Sequence, residues 1–403
     1  MLRYLEHDKY EEDLNMKLGK YNRTINYIAL FILFFLQNID NYVREKHISV
    51  LGLNTIKNIT LLIVGLLFLY EILKLKEITN SAWKLFFTDE LKSILFLGSS
   101  FLVLSTFYMI KNGGYVLATF MGIFKIVIPV VIAYAIINVM EMRDIYKLMS
   151  ILLILSFSGY LFSKIDLFSI SNIKQINFVT SSSPFESNFF SPTAMAFCLF
   201  FCFYRKKKSL TYLSVFFTIM TFKRIMILYA VFLLLIGGLI QKRKISSKVV
   251  YVFAVAFLVL SLFYIKLMRG ECSDIVKQLI GIDVNTFVMG RAYFMQVIIR
   301  NFKSLGYMSS TVGYQSMEMD IPMIYTEMGI LSVIAIIFSL LNLVKYNMYN
   351  FLIIVFCLLE LLTSHWLDIP YFWIVTYITI GCITYRTDAL ELQKAKARIK
   401  FVW

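Results

Sequence analysis

Residues Leu210–Ile240 read LTYLSVFFTIMTFKRIMILYAVFLLLIGGLI, and the adjacent cations Lys223 and Arg224 near the middle decide how the chain is threaded. As one helix the stretch would run about 46 Å at about 1.5 Å per residue, against roughly 30 Å of bilayer hydrocarbon, and both charges would sit at its centre. Two crossings, Leu210–Phe222 and Ile225–Ile240, avoid this by placing the cations at the tip of a tight outward-facing hairpin. No Gly or Pro marks the turn, so the expectation rests on length and charge alone. The split also leaves KRK at Lys242–Lys244 on the same side as RKKK at Arg205–Lys208.

The rest of the chain follows the same logic. Its 403 residues are 59% hydrophobic and only 16% charged, more apolar than any soluble core of this length requires. The pattern predicts an all-α polytopic integral membrane protein with about 12 transmembrane helices. A net charge of +15 could suit nucleic acid, but the basic residues are dispersed in short clusters between apolar runs, so no nucleic-acid partner is expected. They act instead as topology signals under the positive-inside rule, which puts both termini in the cytosol. The expected plan is a cytosolic N-terminal extension (1–24), a polytopic membrane domain (25–385) and a cytosolic basic tail (386–403). External loops are expected at 163–188 and 268–320. The second is the one large external loop, and it holds an amphipathic stretch, Val284–Phe302.

Of five cysteines, four fall in apolar runs, and Cys198 and Cys202 share a helix face, where packing explains them better than a metal. Charges inside spans cost about 2.5–3.5 kcal/mol each near a helix centre and are therefore candidates for function. Lys125, in the span Tyr115–Val139, is the clearest; it is either paired for structure or in contact with ligand. Glu327, early in the span Ile321–Val344, and Glu360, near the outer end of Asn347–Leu362, are carboxylates able to neutralise Lys125 or an external arginine. Glu360 also has the plainer reading of facing lipid headgroups. His365, in SHWLDIP, is either a base or an interfacial residue in an aromatic belt. Lys223, Arg224 and Arg291 on the outer side call for an anion, either headgroups or a phosphate-bearing substrate that the arginine forks bind bidentately.

The segment GRAYFMQVIIRNFKSLGYMSSTVGYQSMEMDIPMIYTEMGI, Gly290–Ile330, resembles the Wzy-type family of O-antigen and capsular polysaccharide polymerases, related to the O-antigen ligases. Gly290-Arg291 opening a helix, the Gly306 turn in SLGY and the YTEMGI element at Tyr325–Ile330 carry the resemblance. KRIMIL at Lys223–Leu228 and SPFESNFFSPTA at Ser183–Ala194 add to it. The resemblance implies a GT-C-like glycosyltransferase of the bacterial cytoplasmic membrane, with its active site facing outward. Its substrates would be oligosaccharides linked to undecaprenyl pyrophosphate, and flippase and chain-length regulator proteins would be pathway partners. No cofactor and no metal is implied.

The departing pyrophosphate would then be held by fixed cations, Lys223, Arg224, Arg291 and Lys125. Relatives carry a histidine before the E-x-G element, where this chain has Glu318 and Asp320. Either of these, or His365 displaced from that position, is the candidate base. Asp320 also has a local reading as an N-cap, and Glu318 as a solvated loop residue. Tyr314 and Tyr293 are placed to stack on sugar rings. A ligase transferring finished chains, and a flippase-like transporter, are the competing functions.

Overall fold

The computed structural model describes residues 23–78, 85–175, 183–241, 243–271, 273–281, 283–288, 290–311 and 318–385. Among these residues the regular structure is all helix, without a strand; Lys244 and Asn347 form an isolated antiparallel bridge. Five helices among the described residues are long and apolar enough to cross a membrane: Leu53–Lys74, Thr88–Asn112, Leu117–Val139, Met142–Leu167 and Ser247–Met268. Shorter apolar helices include Ser191–Tyr204, Lys208–Met220, Arg224–Ile240, Ile330–Val344 and Met348–Thr363. Most of the extension (1–24), the basic tail (386–403) and Tyr314 lie outside the described residues.

The chain divides into two compact units, one from residues up to 87, 131–231 and 374 onward, the other from 88–130 and 232–373. In the first, helix Arg23–Glu45 packs on Leu53–Ile78 and Met142–Lys164, and Ser191–Tyr204 packs on Lys208–Met220. Ser191–Tyr204 is buried on every face up to Phe203, as a helix apolar all round must be to escape water or fill a core. Cys198 and Cys202 lie along it with their sulfurs 3.7 Å apart, as free thiols.

The helix does break at the opening cations. Lys208–Met220 ends, Phe222 takes a left-handed φ of 58°, and Arg224–Ile240 begins. The carbonyls freed by the turn find partners from distant sequence. Tyr160 Oη donates to Met220 O at 2.7 Å and to Phe185 O at 3.0 Å, and Ser187 N donates to Thr221 O at 3.1 Å. A buried polar seam continues from there. Lys164 Nζ is 2.6 Å from Glu45 Oε2, Glu45 also accepts from Ser187 Oγ, and Asp40 takes both Lys57 and Arg44.

In the second unit, Ser247–Met268 packs on Arg291–Asn301, Asp320–Met328 and Ile330–Leu341, while Thr88–Asn112 covers the last two. The expected single span Ile321–Val344 is broken. Gly329, at φ 76° and ψ −170°, ends helix Asp320–Met328 and starts Ile330–Leu341, a conformation that a residue with a Cβ resists. Hydrophobicity runs through the break, so periodicity alone could not see it. The amphipathic stretch Val284–Phe302 is divided in the same way, at Gly290 with φ 82°, so that Arg291 is the first residue of helix Arg291–Asn301.

Candidate acid–base site

Asp320 opens its helix with its backbone N–H bonded to Ser364 O at 3.2 Å, and its side chain is fully buried. The N-cap reading does not hold, because Met319 occupies that position and the Asp320 carboxylate turns away from its own helix. It reaches the loop between Met348–Thr363 and Pro370–Tyr385 instead, accepting from Trp366 N at 2.5 Å and Leu367 N at 2.8 Å. Its other oxygen is 2.6 Å from His365 Nδ1. Two amides and an imidazole therefore fix one carboxylate, and that carboxylate fixes the ring.

The far side of the ring faces a second carboxylate. His365 Nε2 is 3.3 Å from Asp368 Oδ1, and Asp368 Oδ2 is 3.1 Å from Lys125 Nζ. The result is a four-member line, Asp320, His365, Asp368, Lys125, drawn from three separate parts of the sequence. Burial works against a charged imidazole, but the charges of Asp320 and Asp368, the hydrogen bond to Asp320 and the nearby Glu327 overcome it. The pKa of His365 is pushed up to about 10, so the ring is an imidazolium at neutral pH. It is thus a cation with two carboxylate partners.

Glu327, in the last turn of Asp320–Met328, is fully buried and accepts from Met308 N at 2.9 Å, Ser310 N at 2.8 Å and Ser310 Oγ at 2.6 Å. It holds the loop that follows the Gly306 turn. The same loop is fastened to helix Thr88–Asn112, where Ser105 Oγ accepts from Tyr307 N at 3.0 Å. A Cβ on Gly306 would lie 2.5 Å from Ser105 Cβ and 2.7 Å from its Cα, so only glycine fits.

Arg291 and Glu318 meet as an ion pair, Nε to Oε2 at 3.6 Å, with Glu318 73% exposed. Glu318 stands two residues before Asp320 in the chain. Arg269, at the end of Ser247–Met268, stacks over the Tyr325 ring at 5.0 Å. The Nε atoms of Arg269 and Arg291 are buried and without a hydrogen-bond partner among the described residues.

The remaining expected residues have their own surroundings. Lys223 and Arg224 belong to the first unit, where Lys223 pairs with Glu186 at 3.3 Å and Arg224 Nε is buried without a hydrogen-bond partner among the described residues. Glu360 is buried in helix Met348–Thr363, which does not suit a headgroup-facing carboxylate. Tyr293 is exposed, on helix Arg291–Asn301.

Sequence reasoning missed Asp368, Ser310 and Arg269 as members. Asp368 had a usable signal, the His-x-x-Asp spacing in SHWLDIP between two apolar helices. Among the described residues no group of three His, Cys, Asp or Glu is arranged to hold a metal. Neither ring nitrogen of His365 is open to one, since each faces a carboxylate. Compared with known proteins, the chain matches no family model, no curated protein and no solved structure.

Proposed function

We propose that this chain is an integral-membrane glycosyltransferase that extends a polysaccharide from repeats linked to undecaprenyl pyrophosphate, on the outer face of a bacterial cytoplasmic membrane. The sequence resemblance supplies the reaction class, and about 12 spans in a GT-C-like arrangement is the architecture it carries. The observation that carries the chemistry is the line Asp320, His365, Asp368, Lys125, with the Arg291–Glu318 pair two residues before Asp320 in the sequence. It joins the two parts that glycosyl transfer from a pyrophosphate requires, a group able to take a proton and fixed positive charge for the leaving oxygens.

In this reading the bond between the donor's anomeric carbon and pyrophosphate breaks, and pyrophosphate leaves with the electron pair. The acceptor hydroxyl forms the new glycosidic bond, and its proton passes to Asp368, the carboxylate held between Lys125 and His365. Asp320 is saturated with donors and orients His365. Arg291 stands at the start of an 11-residue helix, where backbone N–H groups also favour an anion, and it binds the phosphates with Arg269.

A second reading, a proton-coupled transporter of lipid-linked sugars, draws on two observations. Buried lines of Asp, His and Lys are proton paths in pumps, and helices broken like that at Gly329 are a transporter device. Purified chain in vesicles loaded with lipid-linked repeats separates the two. Lengthened glycan without movement of lipid across the bilayer supports the polymerase; movement without lengthening sinks it.

A further inference from the structure

Tyr307 lies in the loop that Glu327 and Ser105 hold, and nearly everything about it is fixed. Its N–H donates to Ser105 Oγ at 3.0 Å, and its carbonyl accepts from Thr119 Oγ1 at 2.6 Å. The ring packs against Phe101, centroids 5.0 Å apart, and is wholly buried. Gly122 leaves the ring no slack on another side, since a Cβ there would lie 2.7 Å from Tyr307 Cε1. Against this background the hydroxyl stands out: it is buried and has no hydrogen-bond partner among the described residues.

An unpaired buried hydroxyl costs about 1–3 kcal/mol, and buried tyrosines ordinarily find a partner. Phenylalanine would fill the same space without that cost. The hydroxyl therefore serves something other than the packing of the protein. Its surroundings select what that is. Burial, and then the charges of Asp320, Asp368 and Glu327, hold the phenol's pKa well above its ordinary value, so it remains a donor. Phosphate is repelled by three carboxylates and is better met by Arg291 and Arg269. A neutral sugar hydroxyl suits the place, because it can accept from the phenol while donating to a carboxylate.

We infer that the Tyr307 hydroxyl binds a hydroxyl of the acceptor sugar and positions it beside Asp368, a role that rests on the glycosyltransferase reading. Tyr307→Phe removes one oxygen and leaves the ring contacts. Full-length wild type and Y307F are purified, reconstituted with lipid-linked repeats, and compared for acceptor KM, kcat and melting temperature. The expected result is a loss of tenfold or more in kcat/KM for the acceptor, with a melting temperature unchanged or higher. Wild-type kinetics in Y307F would overturn the inference and leave the enzyme reading intact. A fall in melting temperature that tracks the loss of activity would also overturn it, because the hydroxyl would then have a partner in the protein. If wild type itself fails to lengthen glycan, the function and this ligand assignment fall together, an outcome distinct from the other two.

Discussion

His365 Nδ1 lies 2.6 Å from an oxygen of Asp320, 45 residues earlier in the chain, while its Nε2 faces Asp368. An imidazole placed between two carboxylates, with Glu327 and Lys125 as the next charges around it, keeps its proton well past neutrality.

This gives a pH dependence with a definite sign. The pKa of His365 is raised from 6.5 to about 10, so its charged contacts stabilise the fold fully below about pH 6.5 and are lost as pH rises towards 10. Melting temperature measured from pH 6 to 10.5 on wild type and His365→Gln should show a gap that is widest at the acid end and closes with rising pH. A constant gap would mean that the ring is neutral in the folded state.

Lys125 and Asp368 should be coupled. Removing one member of a mostly buried pair leaves the other uncompensated, at about 3 kcal/mol, so Lys125→Met and Asp368→Asn should each destabilise by roughly that amount. The double variant should recover at least about 1 kcal/mol of the summed loss, short of full recovery because His365 also leans on Asp368. Strict additivity in thermal unfolding would show that the contact contributes nothing.

Arg291→Ala separates function from folding. Its partner Glu318 is largely exposed, and such pairs contribute about 0–1 kcal/mol, so insertion and melting temperature should hardly change. Glycan lengthening should fall by roughly 100-fold or more if the guanidinium holds departing phosphate. Long chains of normal length from this variant would remove Arg291 from the site.

Gly306→Ala tests the loop anchor. The new methyl would meet both Ser105 Cβ and Cα, at a φ of 98°, and should cost about 3 kcal/mol or more. Gly281→Ala is the control, with φ 73° and open space around it, so it should incur only the backbone strain of about 1–2 kcal/mol. Equal losses in the two variants would deny that Ser105 is a tight neighbour.

Some of this was legible in the residues. The break between Met220 and Arg224 followed from helix length and from two charges in an apolar run, both local quantities. Lys125 was conspicuous for the same reason, a cation where hydrocarbon was expected. Its partner was not, because Asp368 is 243 residues away and no periodicity reports a contact at that separation. Asp320 misled because an aspartate at a helix start usually caps it, whereas here the loop amides of Trp366 and Leu367 claimed the carboxylate. Tyr160, which satisfies the Met220 carbonyl at the break, reads in sequence as one more aromatic among 25 tyrosines.

The pinning of Gly306 against Ser105, with Glu327 gripping the next residues, moors the long 268–320 connection close to its downstream end. Changes of length upstream of that mooring, outside Arg269 and helix Arg291–Asn301, would leave Asp320, His365 and Asp368 in register. The line of Asp320, His365, Asp368 and Lys125 would thus keep its geometry through changes of loop length.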